Sequence, residues 1–146
     1  MKRKKNKVFK IVVGAVIIND TPAVLLLQRR EDEKSFPGMW ELPSGKRSFG
    51  ETSIEALHRE VKEETGLQVE IIRPLSVFEY VVETADEIRD TTQINFLCRL
   101  TPGSQKIKIN PKEHQAAKWF TIEELHSLRN ISEEVRKAAL IALTAP

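Results

Sequence analysis

Gly45-Lys46-Arg47-Ser48-Phe49-Gly50-Glu51-Thr52-Ser53-Ile54-Glu55-Ala56-Leu57-His58-Arg59-Glu60-Val61-Lys62-Glu63-Glu64-Thr65-Gly66-Leu67 is the stretch that decides how this chain folds. Thr52-Ser53-Ile54-Glu55 is a capping-box sequence: the threonine hydroxyl can accept from the third helical N–H, and the glutamate can accept from the N–H of Thr52. Gly66 suits the left-handed position just past a helix, so a helix is expected over 53–65. On a 3.6-residue period Ile54, Leu57, Val61 and Thr65 gather on one stripe, expected to face the core. Glu60, Glu63 and Glu64 gather elsewhere, within roughly 100° of arc. Ala56 lies on that acidic face one turn earlier, which leaves the face open, and Arg59 flanks the acids near Glu63.

Acids sharing a helical face usually form nothing more than a solvated surface, since like charges four residues apart cost a helix only a few tenths of a kcal/mol. The other reading is a hard-cation site. Mg²⁺ and Mn²⁺ take oxygen ligands, keep several waters and complete their shells with substrate phosphate oxygens.

Working outward, Phe9–Ile18 and Ala23–Gln28 are apolar, β-branched runs separated by Asn19-Asp20-Thr21-Pro22, which has hairpin-turn chemistry. Arg29–Pro37 reads as an exposed polar loop, and Trp40–Leu42 as a short extended piece. Downstream, Val69–Val82 (interrupted near Pro74), Thr91–Leu100, Lys106–Ile109 and Ala116–Phe120 read as strands. Thr121-Ile122-Glu123-Glu124 repeats the capping box ahead of a short helix, and Ser132–Leu143 is expected to be the last helix. Strands interleaved with helices imply an α+β chain, an α/β/α sandwich with a mixed sheet.

Length and composition agree with one domain: 146 residues, 40% hydrophobic and 30% charged, with no internal repeat. No apolar run approaches the roughly 20 residues that span a bilayer. The single cysteine, Cys98, excludes an internal disulfide. A soluble, cytoplasmic protein with no membrane partner is the resulting expectation. The net charge of +2 owes most to residues 1–7, which carry five cations and read as a basic tail ahead of a domain over 8–146. No nucleic-acid partner is expected from that tail alone.

The spacing then overturns the solvated-face reading. Gly45, Glu51, Arg59-Glu60-Val61, Glu63-Glu64 and Gly66-Leu67 match at every defined position the signature of the Nudix, or MutT-like, hydrolase family. By average residue usage such a match arises by chance at roughly 10⁻⁹ to 10⁻¹⁰ per starting position. The resemblance extends to Leu25–Arg30, to Gly38-Met39-Trp40-Glu41-Leu42-Pro43, and to Glu113-His114 with Trp119-Phe120. Ser44 stands where many members have glycine, and it keeps the backbone carbonyl that this position can offer a metal.

The resemblance implies the Nudix mixed sheet flanked by helices, and hydrolysis of a nucleoside diphosphate linked to another group. It implies Mg²⁺, with Mn²⁺ an alternative, held by Glu60, Glu63, Glu64 and Ser44, which would polarise the phosphate bridge and help generate the nucleophile. Arg59 would orient the glutamates. Glu51, placed with the substrate-binding residues, would brace the loop or bind through water, or act only as an acid favoured by the helix dipole. The general base would be Glu113 or Glu63 itself. His114 is expected to be structural or exposed; His58 and His126 receive no role. Arg30 and Leu42 would lie close to the nucleobase, Gly45 would let the loop approach phosphate, and Phe78 and Tyr80 could stack on a base. The substrate expected first is a (d)NTP or an oxidised dNTP, cleaved to monophosphate and pyrophosphate. An ADP-ribose or nucleotide-sugar pyrophosphatase is the enzymatic alternative, and a nucleotide-sensing module that does not cleave is the alternative of another class. The resemblance also allows a homodimer.

Overall fold

The computed structural model describes residues 4–144. Seven strands and three helices follow in the order β1 (Asn6–Ile18), β2 (Val24–Arg29), β3 (Trp40–Glu41), β4 (Ser44–Lys46), α1 (Ser53–Thr65), β5 (Val69–Glu83), β6 (Glu87–Leu100), β7 (His114–Phe120), α2 (Ile122–Ser127) and α3 (Glu133–Thr144). The main sheet runs β3-β2-β1-β6-β5, with β4 paired to β1 and β7 to β2. β1 and β6 are parallel over thirteen residue pairs, from Asn6↔Glu87 to Ile18↔Arg99. The remaining strand pairs are antiparallel, so the sheet is mixed, as expected.

Alternation along β1 assigns the two layers. Val13, Ala15 and Ile17 pack with Ala56, Leu57, Val61 and Leu67 of the α1 side. Val16 and Ile18 pack on the opposite face with Leu125 of α2 and with Val135, Ala138, Ala139 and Ala142 of α3. A strand buried on both faces is nearly continuous in apolar residues, which is how Val12–Ile18 reads. Both α1 and α2 carry complete capping boxes, at Thr52/Glu55 and Thr121/Glu124. Gly66 closes α1 in the left-handed conformation (φ 72°), and its N–H donates to the Lys62 carbonyl.

Several expectations shift. The basic segment over 1–7 is not a detached tail throughout: Asn6 and Lys7 already belong to β1, and Lys5 pairs with Glu83 at 2.8 Å, while residues 1–3 lie outside the described residues, as do 145–146 at the end of the expected domain. Strands β5 and β6 run on past Val82 and start before Thr91, joined by a turn in which Thr84 N–H donates to the Glu87 carbonyl at 2.8 Å. Their charged ends stand in solvent, where no hydrophobic alternation is required to mark a strand. The register slips at Ile71/Arg73 and at Pro74/Ser76, the second beside a proline that cannot donate to a ladder. No strand forms over 106–109; instead Lys108 N–H donates to the Thr65 carbonyl at 2.8 Å, covering the C-terminal end of α1. Among the described residues no helix is long and apolar enough to cross a membrane.

The faces of α1 also divide less simply than its period suggests. Ile54 is 44% exposed, whereas Ala56 and Glu64 are buried. The helix rests on both β1 and β4, so the arc it covers is wider than one stripe and takes in part of the acidic face.

Candidate active site

The loop preceding α1 and the helix itself bring three charged groups, Glu51, Arg59 and Glu60, into one hydrogen-bonded unit. Arg59 Nε donates to Glu51 Oε2 at 2.7 Å and Nη2 to Glu51 Oε1 at 2.9 Å, a two-pronged contact. Nη1 donates to Glu60 Oε1 at 2.8 Å, and Nη2 also reaches the Lys46 carbonyl at 3.0 Å. Glu51 Oε1 accepts from the Ser48 N–H as well, at 2.9 Å. The guanidinium and this amide hold the Glu51 carboxyl low, at about 2. Arg59 thus bridges Glu51, from the loop, to Glu60, on the helix.

Glu60 and Glu64 face a cavity of about 500 Å³ whose wall also includes Arg29, Glu41, Ser44, Gly45, Glu113 and His114. Burial pushes the Glu64 carboxyl up to about 9, aided by the neighbouring charges of Glu113, Glu41 and Glu60 and opposed by the Ser44 N–H, which donates to its Oε1 at 2.7 Å. Burial raises Glu60 too, against the pull of Arg59. Gly45 lies hard against Glu60: a Cβ at this position would meet its carboxylate, so a side chain here would displace that acid.

A buried carboxylate (Glu64), a half-buried one (Glu60) and an exposed one (Glu113) around one cavity suit a hard divalent cation, because oxygen donors and a compensating charge are both present. Glu60, Glu64 and Glu113 are the residues this geometry would offer it. Glu63 stands apart: its side chain is 55% exposed, it touches Arg59 at 3.3 Å, and it lies outside the cavity wall.

A second cavity of about 400 Å³ adjoins the first and shares Arg29, Glu41 and Ser44 with it. Its remaining wall is mostly apolar, with Phe36, Trp40, Leu42, Phe78 and Tyr80 prominent. Phe78 and Tyr80 stack with ring centroids 5.3 Å apart. The Tyr80 hydroxyl donates to Gln93 Oε1 at 3.1 Å, Gln93 Nε2 to Asn95 Oδ1 at 2.9 Å, and Asn95 Nδ2 to Ser76 Oγ at 3.1 Å. This connected row of amides under the cleft fixes the tyrosine ring in place.

Arg30, expected at the substrate, and its neighbour Arg29 differ in position. Arg30 is turned to the surface, ion-paired with Asp32 at 2.8 Å and donating to the Pro111 carbonyl at 2.7 Å. Arg29 is the one that faces both cavities, near Glu41 and Glu33, each at 3.7 Å. Leu42 is buried in the α2–α3 core and contributes to the floor of the apolar cleft. Asn130 donates to the Gly38 carbonyl at 2.6 Å and is not part of either cavity wall.

Sequence reasoning gave no role to Glu41, Arg29 or the His114–Glu41 contact at 2.8 Å. A recognisable signal was present, since Glu41 and His114 both sit beside motif residues, but their pairing depends on β3 and β7 both packing against β2.

The comparisons with known proteins agree with this architecture. Residues 8–141 match the family model described as the NUDIX domain. Nudix hydrolase 6 of Arabidopsis thaliana is 38% identical over 120 residues, covering 82% of this chain and 41% of that protein. The 8-oxo-dGDP phosphatase NUDT18 of Mus musculus is 41% identical over 110 residues, covering 75% of this chain and 31% of that protein. The chain therefore spans less than half the length of these relatives. Among solved structures, the MutT protein from Methanosarcina mazei Go1 superposes with a TM-score of 0.71 at 24% identity, covering 96% of this chain and 95% of that one, a likeness of fold. By a family model covering nearly its whole length, this chain belongs to the Nudix hydrolase family.

Proposed function

We propose that this protein hydrolyses a nucleoside diphosphate linked to another group, in a divalent-cation-dependent reaction, with a (d)NTP or an oxidised dNTP as substrate. The observation that carries this reading is the junction of the two cavities at Arg29, Glu41 and Ser44: an acidic chamber suited to a cation and phosphates opens directly onto an apolar, aromatic cleft suited to a nucleoside.

In this reading the nucleobase lies against Phe78 and Tyr80, and the phosphate chain crosses Arg29 into the acidic chamber. A bound Mg²⁺ or Mn²⁺ neutralises phosphate charge and favours ionisation of water. Glu60, Glu64 and the Ser44 backbone would hold that ion, with Glu63 at the rim. Water adds to phosphorus, the bridging P–O bond breaks, and the proton passes to a carboxylate, for which Glu113 is placed at the cavity wall. The products are a nucleoside monophosphate and pyrophosphate. Arg59 and Glu51 keep Glu60 aimed throughout.

The relation to an 8-oxo-dGDP phosphatase supports a second candidate in the same class, an oxidised nucleoside diphosphate releasing orthophosphate. A sensor that binds without cleaving is the less economical reading, because Arg59, Glu60 and Glu64 are all present and mutually positioned. Turnover assays with Mg²⁺ across dNTPs, oxidised dGTP and dGDP, ADP-ribose and dinucleoside polyphosphates test the proposal. Cleavage of an oxidised or ordinary nucleotide supports it; cleavage confined to ADP-ribose moves the assignment to the nucleotide-sugar class. A nucleotide that raises the melting temperature without being cleaved establishes the sensor.

A further inference from the structure

We propose that His114 supplies a nitrogen ligand to the cation in the acidic chamber, so that the centre is a mixed nitrogen–oxygen site favouring a first-row transition-metal ion over Mg²⁺. The inference rests on the cation-dependent reading above and adds to it a donor from outside the α1 motif.

His114 opens β7, is 2% exposed and lines the acidic cavity. Its Nε2 lies 2.8 Å from Glu41 Oε2. A neutral imidazole carries one N–H, and donating it to this carboxylate leaves Nδ1 as a bare lone pair. Nδ1 is buried and has no hydrogen-bond partner. An acceptor removed from water and left unmatched is unfavourable, so a buried, orphaned nitrogen calls for a reason. A metal ion supplies one.

The surrounding donors agree. Among the described residues, a carboxylate oxygen of Glu64, one of Glu113 and a ring nitrogen of His114 lie within 4.8 Å of one another. Ligand bonds of about 2.1 Å place donors around one ion up to about 4.2 Å apart, so small side-chain rotations close the set. The outer arrangement also matches what metal-bound histidines require: a carboxylate accepts from the far ring nitrogen, fixing the tautomer and raising the basicity of the near one. Glu41 occupies that place. Arg29, 3.7 Å from Glu41, offsets the charge this carboxylate brings to a half-buried position.

The chemical consequence is selectivity. An all-oxygen set suits Mg²⁺, whereas an imidazole adds most to ions later in the first row. Nitrogen donation from β7 also ties the ion to the sheet rather than to α1 alone.

The test uses the full chain loaded with Mn²⁺. Electron spin-echo modulation detects ¹⁴N bound directly to the ion, and histidine labelled with ¹⁵N identifies its source. The expected result is a directly bound nitrogen coupling that changes isotope with the label and disappears in His114→Gln. It persists in His58→Gln and His126→Gln, whose parent residues lie on α1 and α2. His114→Gln should weaken Mn²⁺ binding about tenfold or more, and Glu41→Gln about tenfold, while Mg²⁺ affinity shifts by no more than about threefold. Should His114→Gln fail to fold, the isotope experiment on the unaltered chain still decides. Bound Mn²⁺ with proton couplings only, from water and without nitrogen, overturns the proposal and leaves the cation-dependent reading intact. Failure of the chain to bind Mn²⁺ or Mg²⁺ at all overturns both.

Discussion

Arg59 holds Glu51 through two N–H donors, at 2.7 and 2.9 Å, and spends a third on Glu60. A planar guanidinium can serve both carboxylates at once; an ammonium cannot. Arg59→Lys should therefore keep its charge and still lower kcat/KM by about 10–100-fold. Steady-state kinetics alongside a thermal melt checks this. An unchanged kcat/KM in a folded Arg59→Lys protein would show that aiming Glu60 is unimportant.

Glu64 gives a pH signature. Its folded pKa, about 9, lies above the ordinary carboxyl value of 4.5. Between those two values the folded state holds a proton that the unfolded state has lost, so stability must decline as pH rises through this window. Metal-free protein is expected to melt at progressively lower temperature from about pH 5 to pH 9, and Glu64→Gln should flatten that slope. Cation binding to ionised Glu64 should release a proton, visible in calorimetry as a buffer-dependent enthalpy. Activity of Glu64→Gln is expected to fall by at least about 100-fold. A slope identical in both proteins would remove Glu64 as its source.

The paired arginines differ in what they touch. Arg30 is committed to Asp32 and the Pro111 carbonyl, while Arg29 faces both cavities. Arg29→Ala should reduce kcat/KM by about tenfold or more, as expected for loss of a charge-assisted phosphate contact. Arg30→Ala should change it by less than about threefold, its surface ion pair being weak. The reverse ranking in parallel assays would return the substrate contact to Arg30.

Phe78 stacks on Tyr80 at the cleft wall but takes no part in the hydrogen-bonded row beneath it. Phe78→Ala should therefore raise KM for a nucleotide substrate by about tenfold, the scale of one lost base–aromatic contact, with kcat little altered. Inorganic pyrophosphate, used as a competitive inhibitor without a base, should bind the variant as it binds the parent. Equal weakening of pyrophosphate would show that the substitution disturbs the phosphate chamber instead.

The legible parts of the sequence were those whose causes are local. The two capping boxes join residues three apart, and α1 runs from Ser53 to Thr65 as its sequence implies. Asn19 Oδ1 accepts from the Thr21 and Ala23 N–H groups within the expected turn. Strand ends were less legible where charge replaced alternation, as at Glu83–Glu87, and where a segment found a helix end rather than a strand, as at Lys108.

For the candidate site, the sequence by itself determined the helix, its acids and the arginine among them, because a helix's period and caps are set by neighbours along the chain. Only the tertiary structure decided which acids are enclosed. Glu64 is buried because β4 and the Glu113 loop close over it, and Glu63, one position earlier, points about 100° away into solvent. The His114–Glu41 contact spans 73 residues and exists because β3 and β7 meet on opposite edges of β2. Desolvation and pairing of this kind depend on what the whole sheet brings together, which no local spacing records.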